Sequence, residues 1–192
     1  MSDTREQILD AARTCLLRDG YANLSTRAIA DEAGLRMGHL HYHFGSKRNL
    51  VLAVLDAENQ RRLDRQEEMY GAEAPLWKQW EQACDFLEDD LESGYVRILQ
   101  EMIAAGWTEP DIAERVRAML GGWYDLLTSV AQRAQREIGS FGPFIPAEVA
   151  ALVGDAFIGA EALVLLGFSE ERIPQRAALR KVGELIRLAE ET

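Results

Sequence analysis

The sequence predicts an all-α protein in two parts, a small N-terminal helical domain and a larger helical domain behind it. Three observations carry that expectation. Apolar residues recur at helical spacing along most of the chain, and no segment shows the alternation of a strand. Glycines and prolines cut the pattern into short pieces, at Gly20, Gly34, Gly45, Gly71 to Pro75, Gly94, Gly106 and Gly139 to Pro146. Charge is divided as well. Residues 1–50 carry seven Lys/Arg against six Asp/Glu and residues 51–192 fourteen against twenty-six, so the net −11 is borne entirely by the second part. We expect one domain over 1–46 and another over 47–192, linked through a helix over 47–68.

Each element has its own signal. Thr4-x-x-Gln7 has the form of a capping box, and Ile8, Ala11, Ala12, Cys15 and Leu16 follow at helical spacing, predicting a helix to about Asp19. Ser25 is placed to cap a short helix running through Glu32 that ends at Gly34, where a residue free to adopt positive φ is needed. Leu35 to Phe44 leaves room for about two turns. Ser46 then caps a helix from Lys47, apolar through Leu55 and strongly polar from Glu58 to Glu68. Beyond Pro75 the pattern predicts helices over 76–92, 95–105, 110–137, 147–166 and 174–190, with Thr108 as cap and Pro110 in the first turn of the third.

The stretch from Asp31 to Leu50, DEAGLRMGHLHYHFGSKRNL, holds all three histidines, His39, His41 and His43. Two short helices joined by a tight Gly-containing turn make a helix-turn-helix, the second helix of which lies in the DNA major groove. That second helix is crowded with hydrogen-bonding side chains that packing does not require. Leu40 and Phe44 are expected to anchor it, while Arg36, His39, Tyr42 and His43 project outward.

Here the chain resembles the DNA-binding domain of TetR-type (tetracycline-repressor-like) regulators, over roughly residues 4 to 55. The resemblance is carried by Ser25-Thr26-Arg27-Ala28-Ile29-Ala30, Ala33-Gly34-Leu35 and Gly38-x-Leu40-x-Tyr42-His43-Phe44-x-Ser46-Lys47-x-x-Leu50, a compound motif spread over 26 residues. Two positions depart from it. Arg36 stands where the family has a Ser or Thr cap, and His41 where it has Tyr, with Tyr42 following. The resemblance implies a ligand-responsive DNA-binding regulator, a repressor released from a palindromic operator by a small effector. It implies a homodimer and double-stranded DNA as partner. DNA-contacting candidates are Thr26, Arg27, Arg36, Met37, His39, His41, Tyr42, His43 and Lys47, with Arg36 suited to a guanine edge and Lys47, at a helix N-terminus, to a phosphate.

In the larger domain, the aromatics Trp77, Trp80, Tyr95, Trp107, Trp123, Tyr124 and Phe157 are candidates to line an effector cavity or to form plain core. Glu81, Asp85, Glu88 and Glu101 accompany them, which points to an apolar or cationic effector over an anion. The helix over 147–166 is apolar almost all round and rich in small residues, so a second copy is expected to cover one face. Phe157, Ala160, Val164, Leu179, Val182 and Ile186 are the dimerisation candidates.

The rival reading is a small all-α metal-binding protein or enzyme using His39 and His43, four apart on one helix. No third ligand and no nucleophile–base pair accompanies them, so no catalytic residue, metal site or cofactor is expected. At 47% hydrophobic residues the chain can bury a sizeable core, which excludes disorder as its general state. Cys15 and Cys84 are expected to be reduced core residues. No apolar run reaches the roughly 18 residues that span a bilayer. The N-terminus MSDTREQ is too polar for a signal peptide, and the expected location is the cytoplasm.

Overall fold

The computed structural model describes residues 2–191, which form helices and no strand: α1 (Ser2–Asn23), α2 (Thr26–Ala33), α3 (Met37–Phe44), α4 (Lys47–Gly71), α5 (Leu76–Glu92), α6 (Tyr95–Gly106), α7 (Pro110–Ile138), α8 (Pro146–Leu165) and α9 (Gln175–Glu190). By packing, the chain divides into two compact units. The first comprises Met1–Arg61 and Gly94–Met119, the second Arg62–Ser93 and Leu120–Thr192.

In the first unit, Ile8, Cys15 and Leu16 of α1, Ile29 of α2, and Leu50, Val51 and Leu55 of α4 are almost completely buried. Val96 and Met102 of α6 and Ile112 of α7 are buried too. Each large aliphatic side chain so removed from water is worth roughly 1.5–3 kcal/mol before chain entropy is charged. The helix over α1 outruns the expected end. Gly20, at φ 74° and ψ 165°, kinks it, and the chain resumes helix to Asn23. The expected capping box at Thr4 does not form, because the helix already starts at Ser2. Gln7 instead sends its amide across to the Ala33 carbonyl at 2.8 Å, tying α1 to the end of α2. Thr108 likewise does not cap α7. Its hydroxyl donates back to the Ala105 carbonyl, leaving Glu109 as the residue before Pro110.

The second unit packs α5 against α9 and α8. Its core gathers Cys84 and Leu87, Phe157 and Ala160, and Leu179, with Trp80, Trp123 and Val153 half-buried around them. Trp80 donates its indole N–H to the Leu179 carbonyl at 2.6 Å and meets Phe157 edge-on at 5.7 Å between ring centres. Small residues serve that closeness: a Cβ on Gly154 would fall 2.4 Å from the Tyr124 ring. The carbonyls that end α4 are held by side chains. Gln79, 2% exposed, donates to those of Met69 and Ala72, and Arg133 donates to the Tyr70 carbonyl and to Gln79 Oε1. Burial pushes the Cys84 thiol up to about 11, and both cysteines are free. Among the described residues, no helix is long and apolar enough to cross a membrane.

Candidate nucleic-acid interface

The turn between α2 and α3 is built as its residue types demand. Ser25 accepts from the Ala28 N–H at 3.1 Å and so caps α2. Gly34 takes the left-handed conformation, φ 64° and ψ 27°, letting its N–H and that of Leu35 close onto the last carbonyls of α2. Arg36 occupies the N-cap position of α3 in extended backbone and makes no capping hydrogen bond. Where a Ser or Thr would turn its oxygen inward, a guanidinium has no acceptor to offer, so the side chain stays outside.

The eight residues of α3 then divide cleanly. Leu40 and Phe44, one turn apart, are 3% and 9% exposed and fix the helix to the unit. Met37, His39, His41 and Tyr42 face out, and Tyr42 is 74% exposed, far more than any packing role would leave a tyrosine. Arg36, His39, Tyr42 and His43 line one open depression of about 470 Å³, together with Gly38 and Thr4. The Tyr42 and His43 rings meet at right angles, 5.1 Å apart. His41 lies apart from them, its Nδ1 at 3.2 Å from the Gly45 carbonyl. On α2, Thr26 is half-buried and Arg27 is exposed. Neither Arg27 nor Arg36 makes an ion pair among the described residues. Two neighbours of this face were not expected there: Thr4, read from the sequence only as a capping residue, and Arg5. Arg5 lies over the Phe44 ring at 5.4 Å, a placement that depends on how α1 crosses α3.

The basic residues expected around this face are not all free. Lys47 donates to the Leu24 carbonyl at 3.0 Å and the Tyr21 carbonyl at 3.4 Å, and its ammonium lies 5.1 Å from the Tyr21 ring. It therefore caps the carbonyl end of α1, with one of its three donors left for a phosphate. Arg48 is drawn to Asp111 at 2.7 Å and Glu109 at 3.0 Å, and the hydrogen bond to Asp111 above all raises its guanidinium above its ordinary range. Arg5, Arg27 and Arg36 carry no ion pair among the described residues. Ser46 accepts from Asn49 N–H at 3.1 Å, as expected of a cap. For the rival metal reading, no group of three His, Cys, Asp or Glu is gathered among the described residues.

The aromatic candidates are divided between the units, and in the second Trp80, Trp123 and Phe157 gather in one core cluster. Tyr95 and Trp107 belong to the first unit, where Tyr95 is buried and Trp107 is 81% exposed. Trp77, Trp80, Trp123, Tyr124 and Phe157 lie in the second. There an apolar cavity of about 170 Å³ is lined by Tyr70, Trp80, Leu127, Phe141, Val153 and eight or more further side chains from α5, α7, α8 and α9, and of the expected aromatics only Trp80 reaches it. Tyr124 is occupied with Asp155, to which its hydroxyl donates at 2.7 Å. Three of the four acidic companions, all but Glu81, are engaged in ion pairs. Asp85 pairs with Arg180, Glu88 with Arg176 and Glu101 with Arg97.

The dimerisation candidates also face inward. Phe157, Ala160 and Leu179 are core of their own unit, and Val182 and Ile186 line the cavity, while Val164 is half-buried. Periodicity located the stripe on α9 correctly but could not say which neighbour it served. The apolar side chains left outside are Leu152, Leu165 and Leu166 on and just after α8, and Leu185 and Leu188 on α9, all 43% exposed or more.

Residues 8–54 match the family of bacterial regulatory proteins described as the tetR family. Over 53 residues the chain is 36% identical to the HTH-type transcriptional repressor AcnR of Corynebacterium glutamicum, a match that spans 28% of each chain. It is 26% identical over 150 residues to the HTH-type transcriptional regulator UidR of Escherichia coli, covering 74% of this chain and 70% of that one. A TetR transcription regulator from Haloarcula marismortui superposes with a TM-score of 0.79 over 97% of both chains at 23% identity, a likeness of fold.

Proposed function

We propose, on the premise that this chain belongs through residues 8–54 to the tetR family of bacterial regulatory proteins, that it is a ligand-responsive transcriptional regulator that represses from a palindromic operator. One observation carries the reading. α3 buries only Leu40 and Phe44, and Arg36 at its start with His39 and Tyr42 on it form an exposed polar face that the half-buried His43 continues, with Thr4 beside it. That face has the length of a major-groove reader, and its side chains match base edges and phosphates in chemistry. In functional terms residues 1–46 read DNA, and residues 47–192 pair two copies and receive the effector.

Two copies present two readers about 34–36 Å apart, or a multiple of that spacing, so the operator carries the same dyad. The pairing surface is the outward side of α8 and α9, where Leu152, Leu185 and Leu188 turn more than half of their surface to solvent, with Leu165 and Leu166 beyond. The effector acts by binding the operator-free state more tightly than the bound one, since equal affinity for both shifts nothing. Its receiving site is the apolar cavity of the second unit.

The test is selection of bound fragments from random double-stranded DNA. An inverted repeat with two equivalent half-sites is expected. Recovery of sites without a dyad, or no enrichment at all, contradicts the proposal.

A further inference from the structure

The cavity in the second unit has a chemistry specific enough to name the class of its ligand. No charged side chain lines it; its wall is aliphatic and aromatic, with Leu76, Leu127, Val130, Val149, Val182 and Ile186 prominent. Only two side chains in the wall carry a polar group, Tyr70 and Trp80. The indole N–H of Trp80 is already given to the Leu179 carbonyl. Tyr70 is 9% exposed, and only its backbone carbonyl is engaged, by Gln79 and Arg133; its hydroxyl has no hydrogen-bond partner among the described residues. Tyr70 also borders a smaller depression with Gln66, Asp90 and Glu161, so its hydroxyl is not sealed from solvent, and a ligand that accepts from it adds one hydrogen bond. At about 170 Å³ the space is close to that of an apolar protein cavity of about 150 Å³ known to hold benzene.

We infer that this cavity takes an uncharged, compact aromatic or alicyclic molecule the size of a small substituted benzene, bearing one hydrogen-bonding group, such as a carbonyl or hydroxyl, which pairs with Tyr70. The inference rests on the effector-bearing role proposed above and fixes its chemistry. Of the two ligand classes that the flanking carboxylates had left open, it selects the apolar one. A cation would find no carboxylate in this wall, because Asp85 and Glu88 are committed to Arg180 and Arg176. An anion would find no free guanidinium, because Arg133 lies outside the lining and grips the Tyr70 carbonyl and Gln79. The site also has a route to the rest of the protein. Tyr70 stands in the last turn of α4, so an occupant that pairs with its hydroxyl acts directly on the end of that helix.

Isosteric probes decide the question by calorimetric titration of the full chain. Acetophenone and isopropylbenzene have the same number of heavy atoms and similar size, and differ chiefly in one acceptor. Phenyltrimethylammonium and tert-butylbenzene have the same shape and differ in charge. Acetophenone is expected to bind about two- to ten-fold more tightly than isopropylbenzene, the worth of one neutral hydrogen bond. That ratio falls to about one in Tyr70→Phe, which keeps the ring and the fold. tert-Butylbenzene binds and phenyltrimethylammonium does not. Val153→Trp, which fills the cavity, abolishes binding of all probes while circular dichroism remains that of the parent.

A ratio that persists in Tyr70→Phe overturns the pairing, and binding of the cation as tight as that of its isostere overturns the apolar class. Binding undiminished in Val153→Trp, or no binding of any probe, overturns the site. Fragment selection on the same preparation separates this inference from the regulatory reading. A chain that enriches an inverted repeat yet binds no probe fails the inference alone, and one that binds acetophenone yet enriches no DNA fails the regulatory reading alone.

Discussion

Arg36 and Lys47 are both basic, eleven positions apart, and their surroundings give them different work. The Arg36 side chain has no ion pair or cap bond among the described residues and stands at the N-terminal edge of α3, free to fork onto a guanine. Lys47 spends two donors on the carbonyl end of α1. We therefore expect Arg36→Ala to cost roughly 1–3 kcal/mol on the selected operator and much less on random DNA. Lys47→Ala should weaken both DNAs about equally and also lower thermal stability, because two carbonyls lose their donor. Titrations at several salt concentrations, with a melting curve for each variant, check this. A Lys47→Ala protein as stable as the parent would show that the capping bonds are of no consequence. Much of this site was legible from sequence because the outward and inward positions of an eight-residue helix follow from its period alone. The role of Lys47 was not, since the carbonyls it caps lie more than twenty residues away, and neither was that of Arg48, whose carboxylate partners Glu109 and Asp111 come from the start of α7.

At the level of elements, the second half of α4 is fastened to α5 by a half-buried charge cluster. Asp90 receives Arg62 and Arg65, each at 2.9 Å, and Arg62 also reaches the Ser93 hydroxyl. Burial pushes the Asp90 carboxyl above its usual range against the pull of the two guanidinium groups. Asp90→Ala leaves two guanidinium groups poorly solvated without a counter-charge. It is expected to destabilise the fold by roughly 3–5 kcal/mol, measured by urea unfolding. A loss below about 1 kcal/mol would show that water screens the cluster. Periodicity predicted the helices themselves well, with α5 expected and found at Leu76–Glu92. It failed where a local signal competed with a distant partner. Gln7 reads as half of a capping box but is captured by Ala33, and Thr108 reads as a cap but turns back to Ala105. Such captures depend on which helices meet, and that information is not local.

For the whole molecule, the central claim is that two reading helices act as one because two copies of the chain pair through the outward leucines of α8 and α9. The sequence located the apolar helix and the need for a cover. Of the residues it offered for that cover, Phe157, Ala160 and Leu179 serve the core of their own unit, and it is the packing that shows Leu185 and Leu188 outside it. These two leucines are 66% and 55% exposed in the single chain, so replacing them leaves the fold undisturbed. The double variant Leu185→Glu, Leu188→Glu, followed by sedimentation and by titration of the selected operator, therefore tests the claim directly. The account predicts monomers with an unchanged melting temperature, and operator affinity lower by about two orders of magnitude or more as the two half-sites cease to be bound together. A variant that remains dimeric and holds the operator as tightly as the parent would contradict it.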